Sequence, residues 1–205
     1  MDKLKNLLET TNKKHFLDVG TGAGNFIHLI KSIYDEYETI MGIDLLENAL
    51  KHAENTIEDP RVSFKLMDAF NMSFDDNTFD VITFSNSLHH VEDSTSLLKE
   101  LSRVLKPDGF IIVNEMMSDN LDAMQESHKM LHHLSAKIDR LLGNYHSETY
   151  TENEIKEKLS ENSKLEIIDS WHLKVERVYE NSKEDFDYIF KILDRFSGMV
   201  PEENK

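Results

Sequence analysis

There is no cysteine among the 205 residues. Disulfides, thiolate metal sites and cysteine nucleophiles are therefore excluded together. Basic side chains are scarce: 23 Lys and Arg stand against 39 Asp and Glu, a net charge of −16. A sequence-independent grip on nucleic acid or an anionic membrane needs a basic surface, so neither is expected as a partner. No apolar run approaches the length of a membrane span. Residues 1–14 mix charges with Leu4, Leu7 and Leu8, and lack the apolar core of a signal peptide. A cytoplasmic protein is the expectation these absences leave. With 39% hydrophobic and 30% charged residues, the composition is that of an ordinary globular chain. Its length suits one domain with room for an insertion.

A missing glycine is equally informative. In Phe16-Leu17-Asp18-Val19-Gly20-Thr21-Gly22-Ala23-Gly24-Asn25-Phe26 an apolar run ends in an acid, and glycines follow at alternate positions. A helical pattern then begins at Asn25 and runs to about Tyr34. The reading is buried strand, tight turn and helix N-terminus, where unpaired N–H groups and a partial positive charge favour a nucleotide-like ligand. A dinucleotide fingerprint would place its third glycine at position 25, where Asn25 stands. A strand, turn and helix with no ligand is the plain alternative.

Taken in order, residues 2–10 read as an amphipathic helix and Phe16–Val19 as a strand. A second strand, Thr39–Ile43, ends in Asp44, placed to accept from ribose hydroxyls. A helix over Glu47–Asn55 and a third strand over Val62–Leu66 follow, then Met67-Asp68-Ala69. Asp80–Phe84 reads as a fourth strand, Ser94–Leu105 as a helix, Lys106-Pro107-Asp108-Gly109 as its stop and turn, and Phe110–Met116 as a fifth strand. Strand and helix alternate throughout residues 16–116. The expected fold is α/β: a doubly wound, mainly parallel, Rossmann-like sheet with a helical cap inserted after the fifth strand. The expected organisation is one domain over 1–205, comprising a core (1–116), a helical cap (117–160) and C-terminal strand and helix elements (161–205). Gly20 to Gly24, Asp44, Asp68, Asn86 and Glu115 then fall at the carboxyl ends of the strands, where such sheets bind ligands.

This ordered set resembles class I S-adenosylmethionine (SAM)-dependent methyltransferases. The nearest group (methyltransferase type 11) includes the ubiquinone and menaquinone biosynthesis enzymes. The resemblance is carried by Leu17 to Gly24, Gly42-Ile43-Asp44, Met67-Asp68-Ala69, Phe79-Asp80-Val81-Ile82, Leu88-His89-His90 and Leu105-Lys106-Pro107-Asp108-Gly109-Phe110. It implies that Asp18, Gly20, Thr21, Gly22 and Gly24 lie along the methionine part and ribose of SAM. Asp44 would hold the ribose hydroxyls, with Leu45 against the adenine. Asp68 would accept from the adenine amino group, and the Ala69 N–H would face the ring. Asn86, Ser87 and His90 would lie beside the methyl donor. Asp68 as a turn residue, and His89 and His90 as structural groups, stay open. Asp80 reads as a strand-start residue.

Residues 117–150 depart from a minimal fold of this kind. Ser118 or Asp119 is positioned to cap a helix running to Leu142, with Gly143 and Asn144 as its stop. At about 100° per residue, Met124, Leu131, Leu134, Ile138, Leu141 and Leu142 form an apolar stripe. Gln125, His128, His132 and Asp139 border it, and His133 reads as exposed. That border is a semi-polar seam, a substrate pocket with His128, His132 or His90 as catalytic groups, or a metal site. The candidate ligands of a divalent first-row ion are Glu115, His128, His132, Asp139 and His146. Further on, Thr151 and Glu154 fit a capping box for a helix to about Ser160. Leu165–Leu173 alternates as a sixth strand, continuing towards Val178, and Lys183–Phe196 reads as a final helix before a polar tail at 201–205. The function expected is SAM-dependent methyl transfer to a small molecule in a cleft closed by the cap. The rivals are a SAM- or metal-binding regulator without turnover and an NAD-dependent oxidoreductase. The acceptor and the oligomeric state are not readable from the chain.

Overall fold

A computed structural model describes residues 2–162 and 164–172. Its elements are α1 (Asp2–Thr11), β1 (His15–Val19), α2 (Asn25–Ile33), β2 (Thr39–Asp44), α3 (Glu47–Thr56), β3 (Val62–Leu66), β4 (Phe79–Ser85), α4 (Ser94–Val104), β5 (Leu105–Asn114), α5 (Ala123–Leu141) and α6 (Glu152–Leu159). A short 3-10 turn, Leu88–His90, lies between β4 and α4. The five strands form one sheet in the order β3-β2-β1-β4-β5, and every neighbouring pair is parallel. The order reverses between β1 and β4, which opens a crevice at their carboxyl ends.

Both sheet faces are covered, so the central strands read as continuous apolar runs. Phe16 packs with Leu4 and Leu8 of α1, Ile27 and Ile30 of α2, and Ile40. Its neighbour Leu17 points to the opposite face, where Leu97, Leu98, Leu101 and Val104 of α4 close the core. Asp93 caps α4 by accepting from Ser96 N at 3.0 Å. On the edge remote from the crevice, Asp59 accepts from Tyr37 Oη at 2.6 Å, Lys31 Nζ at 3.0 Å and Arg61 Nη2 at 3.0 Å. That cluster ties α2 and the starts of β2 and β3 together.

The structure corrects the sequence reading at three places. Strand β5 begins at Leu105, and Lys106 to Gly109 form a bulge within it. β4 advances from Phe79 to Val81 while β5 advances from Leu105 to Phe110. A Pro-Asp-Gly run reads as a turn; here the chain bulges outward and then resumes pairing. Residues 165–172 form no strand. Leu165 packs on one core and Trp171 on the other, which meets their apolar demand without ladder pairing. The expected final helix, the tail and any extension to Val178 lie outside the described residues.

The third correction concerns α5. Its cap is Asp122, whose Oδ1 accepts from Met124 N and Gln125 N while Gln125 Oε1 accepts from Asp122 N. The stop is as expected: Gly143 has φ +85°, and the Asn144 N–H reaches Asp139 O at 2.9 Å. The apolar stripe is covered only in part, however: Leu131 is half-buried and Ile138 buried. Met124, Leu134, Leu141 and Leu142 are exposed, and Ala136 and Ile138 are the buried residues of the helix. The insert returns to its point of departure, since Ser118 N donates to Tyr150 O at 2.9 Å beside a parallel bridge of Met117 and Tyr150. Thr151 and Glu154 form the expected capping box on α6. Among the described residues, no helix is long and apolar enough to cross a membrane.

Candidate functional site

A cleft of about 180 Å³ opens where the sheet order reverses. Its walls include Asp18, Gly20, Thr21, Gly22 and Phe26 from the β1–α2 region, and Ser85, Asn86 and Ser87 from the end of β4. Gly20, Gly22 and Gly24 all have left-handed backbone, with φ of +65°, +52° and +81°. Their surroundings differ. A Cβ on Gly20 would meet Ser87 Oγ at 2.6 Å, and one on Gly24 would meet Ile57 Cδ1 at 2.6 Å. Around Gly22 nothing lies within 4 Å. The left-handed backbone favours glycine at all three positions; a side chain at Gly20 or Gly24 would also have to displace Ser87 or Ile57, whereas Gly22 keeps a face open to a ligand.

Asp44 ties this loop to β2. Its Oδ2 accepts from Gly22 N at 2.8 Å and its Oδ1 from Leu46 N at 2.8 Å. Each oxygen retains a lone pair, so the carboxylate can still accept from a diol. Leu45, Leu46, Leu66 and Phe70 stand exposed at the ends of β2 and β3. Asp68 is exposed in the adjoining turn, where its Oδ1 accepts from Phe70 N at 2.9 Å. That makes it a turn residue, with its second oxygen left to accept from a ligand. Ala69, in the same turn, packs against the core. Apolar side chains beside an acceptor-only group suit a purine ring with an amino substituent.

Asp18 is buried at the base of the cleft. Thr21 Oγ1 donates to its Oδ2 at 2.6 Å, and Thr83 Oγ1 donates to its Oδ1 at 2.5 Å. Burial outweighs these two bonds and raises its pKa to about 6. Asn86, at the rim, has φ +48° and donates its N–H to Asn114 O at 2.8 Å. Asp80 accepts from His15 N at 2.9 Å and from Lys106 Nζ at 3.1 Å, a structural role at the other end of β4.

Immediately beyond Ser87 the 3-10 turn meets the insert. His89 is buried, and its Nδ1 lies 2.9 Å from Glu115 Oε2. Glu115 Oε1 accepts from Ser87 N at 2.6 Å and Leu88 N at 2.7 Å, so both carboxylate oxygens are committed to shaping this turn. From the insert, Ser147 N donates to His89 O at 2.8 Å. His146 is buried, with Nδ1 2.6 Å from Asp139 Oδ2 and Nε2 3.4 Å from His132 Nε2. The ring centroids of His90 and His146 are 4.0 Å apart, and those of His89 and His132 are 4.6 Å apart. His90 is exposed, with its ring against those of His89 and His146. Burial, reinforced by the neighbouring imidazoles, lowers His132 to about 3 and His90 to about 4. His146 is lowered by burial despite its bond to Asp139.

The structure therefore gathers His90, His132 and His146 of the sequence-derived candidates, and adds His89 at their centre. His128 is exposed on α5 and stands outside the group that His89, His132 and His146 form. Glu115 and Asp139 lie behind histidines. His133 is half-buried rather than exposed, and its Nε2 is 2.8 Å from Thr149 Oγ1. The common cause is the orientation of α5, which turns its histidine-bearing side to the 3-10 turn. The signal for His89 was present in the His89-His90 doublet directly after a strand end; its spatial partners lie too far along the chain to be paired by spacing.

Residues 17–113 match the family described as Methyltransferase domain. The chain is 36% identical over 93 residues to the ubiquinone/menaquinone biosynthesis C-methyltransferase UbiE of Desulfotalea psychrophila, covering 45% of this chain and 37% of that protein. It is 30% identical over 115 residues to the demethylmenaquinone methyltransferase of Staphylococcus saprophyticus, covering 56% and 49% respectively. The chain thus spans half or less of the length of these curated relatives. Among solved structures, a SAM-dependent methyltransferase from Aquifex aeolicus superposes with a TM-score of 0.56 at 23% identity, over 78% of this chain and 77% of that one. That likeness speaks for the shared fold.

Proposed function

We propose, because residues 17–113 match a methyltransferase-domain family and are similar to ubiquinone/menaquinone-biosynthesis methyltransferases, that the chain is a class I SAM-dependent methyltransferase that transfers a methyl group from SAM to a small molecule. The observation that carries this reading is the cleft itself. Gly22 leaves a face open to a ligand, Asp44 sits beside it with free lone pairs, and exposed Leu45 and Leu46 adjoin Asp44. Asp18, Gly20, Thr21 and Gly22 would hold the amino-acid end of SAM, Asp44 its ribose, and Leu45, Asp68 and Ala69 its adenine. Bound SAM supplies a methyl carbon already activated by a sulfonium. The protein's own contribution is then to place the acceptor in line with that carbon and to exclude water.

Asn86, Ser87 and His90 would border the side from which an acceptor enters, and the insert packs against His89 of the same 3-10 turn. Where an acceptor must lose a proton, His90 is the imidazole beside Asn86 and Ser87, and its lowered pKa makes it an uncharged but weak base. The net charge of −16 and the insert lying against the 3-10 turn both favour a small molecule over a polyanion. The relatives' names make a quinone-type ring the first acceptor to assay, with methyl transfer to carbon. A protein that binds SAM or metal without turnover is the second reading, supported by the histidine cluster of the insert.

Calorimetry with SAM tests the cofactor. Wild-type chain should bind, and Asp44→Ala should weaken binding at least tenfold. Unchanged affinity in Asp44→Ala would sink the assignment. Incubation with SAM and candidate acceptors should then produce S-adenosylhomocysteine above an acceptor-free blank; its absence across quinols, phenols and amines favours the reading without turnover.

A further inference from the structure

One ring nitrogen from each of His89, His132 and His146 lies within 4.8 Å of the other two. The hydrogen bonds decide which nitrogens are free. His89 Nδ1 is taken by Glu115 at 2.9 Å and His146 Nδ1 by Asp139 at 2.6 Å. Both imidazoles then carry their proton on Nδ1 and present a bare Nε2 lone pair. A carboxylate on the far nitrogen of a histidine is the arrangement that fixes tautomer and ring orientation in metal centres, and it makes the imidazole a better donor. Here it occurs at two of the three histidines. The His132–His146 Nε2 separation of 3.4 Å is also near what two ligands of one ion adopt.

We propose that His89, His132 and His146 bind a divalent first-row transition-metal ion, with Glu115 and Asp139 as positioning residues behind two of the ligands. Three nitrogen donors suit zinc, cobalt, nickel or iron, and leave a coordination position for an oxygen of water or acceptor. The ligands come from two parts of the fold: His89 from the 3-10 turn after β4, His132 and His146 from the insert. The ion therefore pins the insert to the core. Glu115 also receives the Ser87 N–H, and Ser87 lines the SAM cleft, so the site is coupled to the cleft wall through one carboxylate.

The test is cobalt(II) titration of the full chain after chelator treatment, read by visible absorption, with zinc as competitor. Wild type and His128→Ala should each bind one cobalt per chain. His132→Ala/His146→Ala should lose at least a hundredfold in affinity, and Glu115→Gln and Asp139→Asn should each lose tenfold to a hundredfold. SAM calorimetry on every variant checks folding, and single His132→Gln serves if the double variant is unfolded. Cobalt should slow tryptic cleavage at Lys129, Lys137 and Arg140 in wild type and not in the ligand variants. No stoichiometric cobalt band in wild type, or an undiminished band in folded ligand variants, overturns the site and leaves a hydrogen-bonded histidine cluster. Cobalt binding without SAM binding would instead sink the methyl-transfer reading alone.

Discussion

At Asp18 the donors are two threonine hydroxyls, Thr21 Oγ1 and Thr83 Oγ1, and the site is otherwise closed to water. Its pKa rises from an ordinary 3.8 to about 6 because burial outweighs those bonds. An acid raised on folding binds its proton more tightly in the native state. Stability then falls as pH rises from about 4 to about 6, and the cost is fully present above 6. At neutral pH that cost is on the order of 2–3 kcal/mol. Asp18→Asn removes it while both hydroxyls can turn to serve the amide. Urea unfolding without ligand should show the variant more stable than wild type by about 1–2 kcal/mol at pH 8. The gain should shrink at pH 5.5. A variant less stable at both pH values would show that the ionised carboxylate is better held than these contacts indicate. The ammonium of a bound SAM would favour the ionised acid. Wild-type affinity should therefore tighten from pH 5.5 to 8, and that of the Asp18→Asn variant should not.

Among the elements, the two ends of the sheet serve different purposes. At the amino ends of the strands Asp59 receives Tyr37, Lys31 and Arg61, with Arg61 also over the Tyr37 ring at 4.1 Å. Arg61 and Tyr37 hold the Asp59 carboxyl well below the usual carboxylate range. A lowered acid contributes stability above its unfolded pKa, and that contribution is lost as the pH falls below about 4. Asp59→Ala leaves three donors without their acceptor and should cost about 2–3 kcal/mol. It lies away from the cleft, so SAM affinity should stay within about twofold; a large loss would break the division between the two ends. This division explains what was legible in the sequence. Strands β1, β2 and β4 showed themselves as apolar runs and the edge strand β3 as an alternation, and Gly20 to Gly24, Asp44 and Asn86 fell at carboxyl ends by topology alone. Strand β5 hid its start because Lys106 to Gly109 bulge out of the ladder before pairing resumes. The facing of α5 was misread because much of its inner side is polar, with Ala136 and Ile138 its buried apolar residues. His132, His133 and Asp139 meet groups on the 3-10 turn and the 144–150 segment, whereas periodicity assigns the apolar side to the interior.

For the molecule as a whole, the core and the insert are joined at a narrow neck. Met117 bridges Tyr150, and Ser118 N donates to Tyr150 O at 2.9 Å. The cleft walls come from β1, α2 and β4 and the loops that follow the strands, with no residue from the insert. Within α5 the buried residues are Ala136 and Ile138, so the insert adds little to the apolar core. Losing that burial should cost only about 2–3 kcal/mol. Replacing residues 119–148 with a short glycine-serine link should therefore leave a folded chain. Its SAM affinity by calorimetry should stay within about threefold of wild type, its cobalt band should vanish, and S-adenosylhomocysteine formation with the native acceptor should fall by at least a hundredfold. The opposite pattern, a collapse of SAM affinity with folding intact, would make the insert part of the cofactor site. Retained turnover would place the acceptor on the core alone. The expected pattern assigns the two tasks to separate parts of the chain: residues 17–113, shared with the methyltransferase family, hold the methyl donor, and the histidine-bearing insert selects what receives the methyl group.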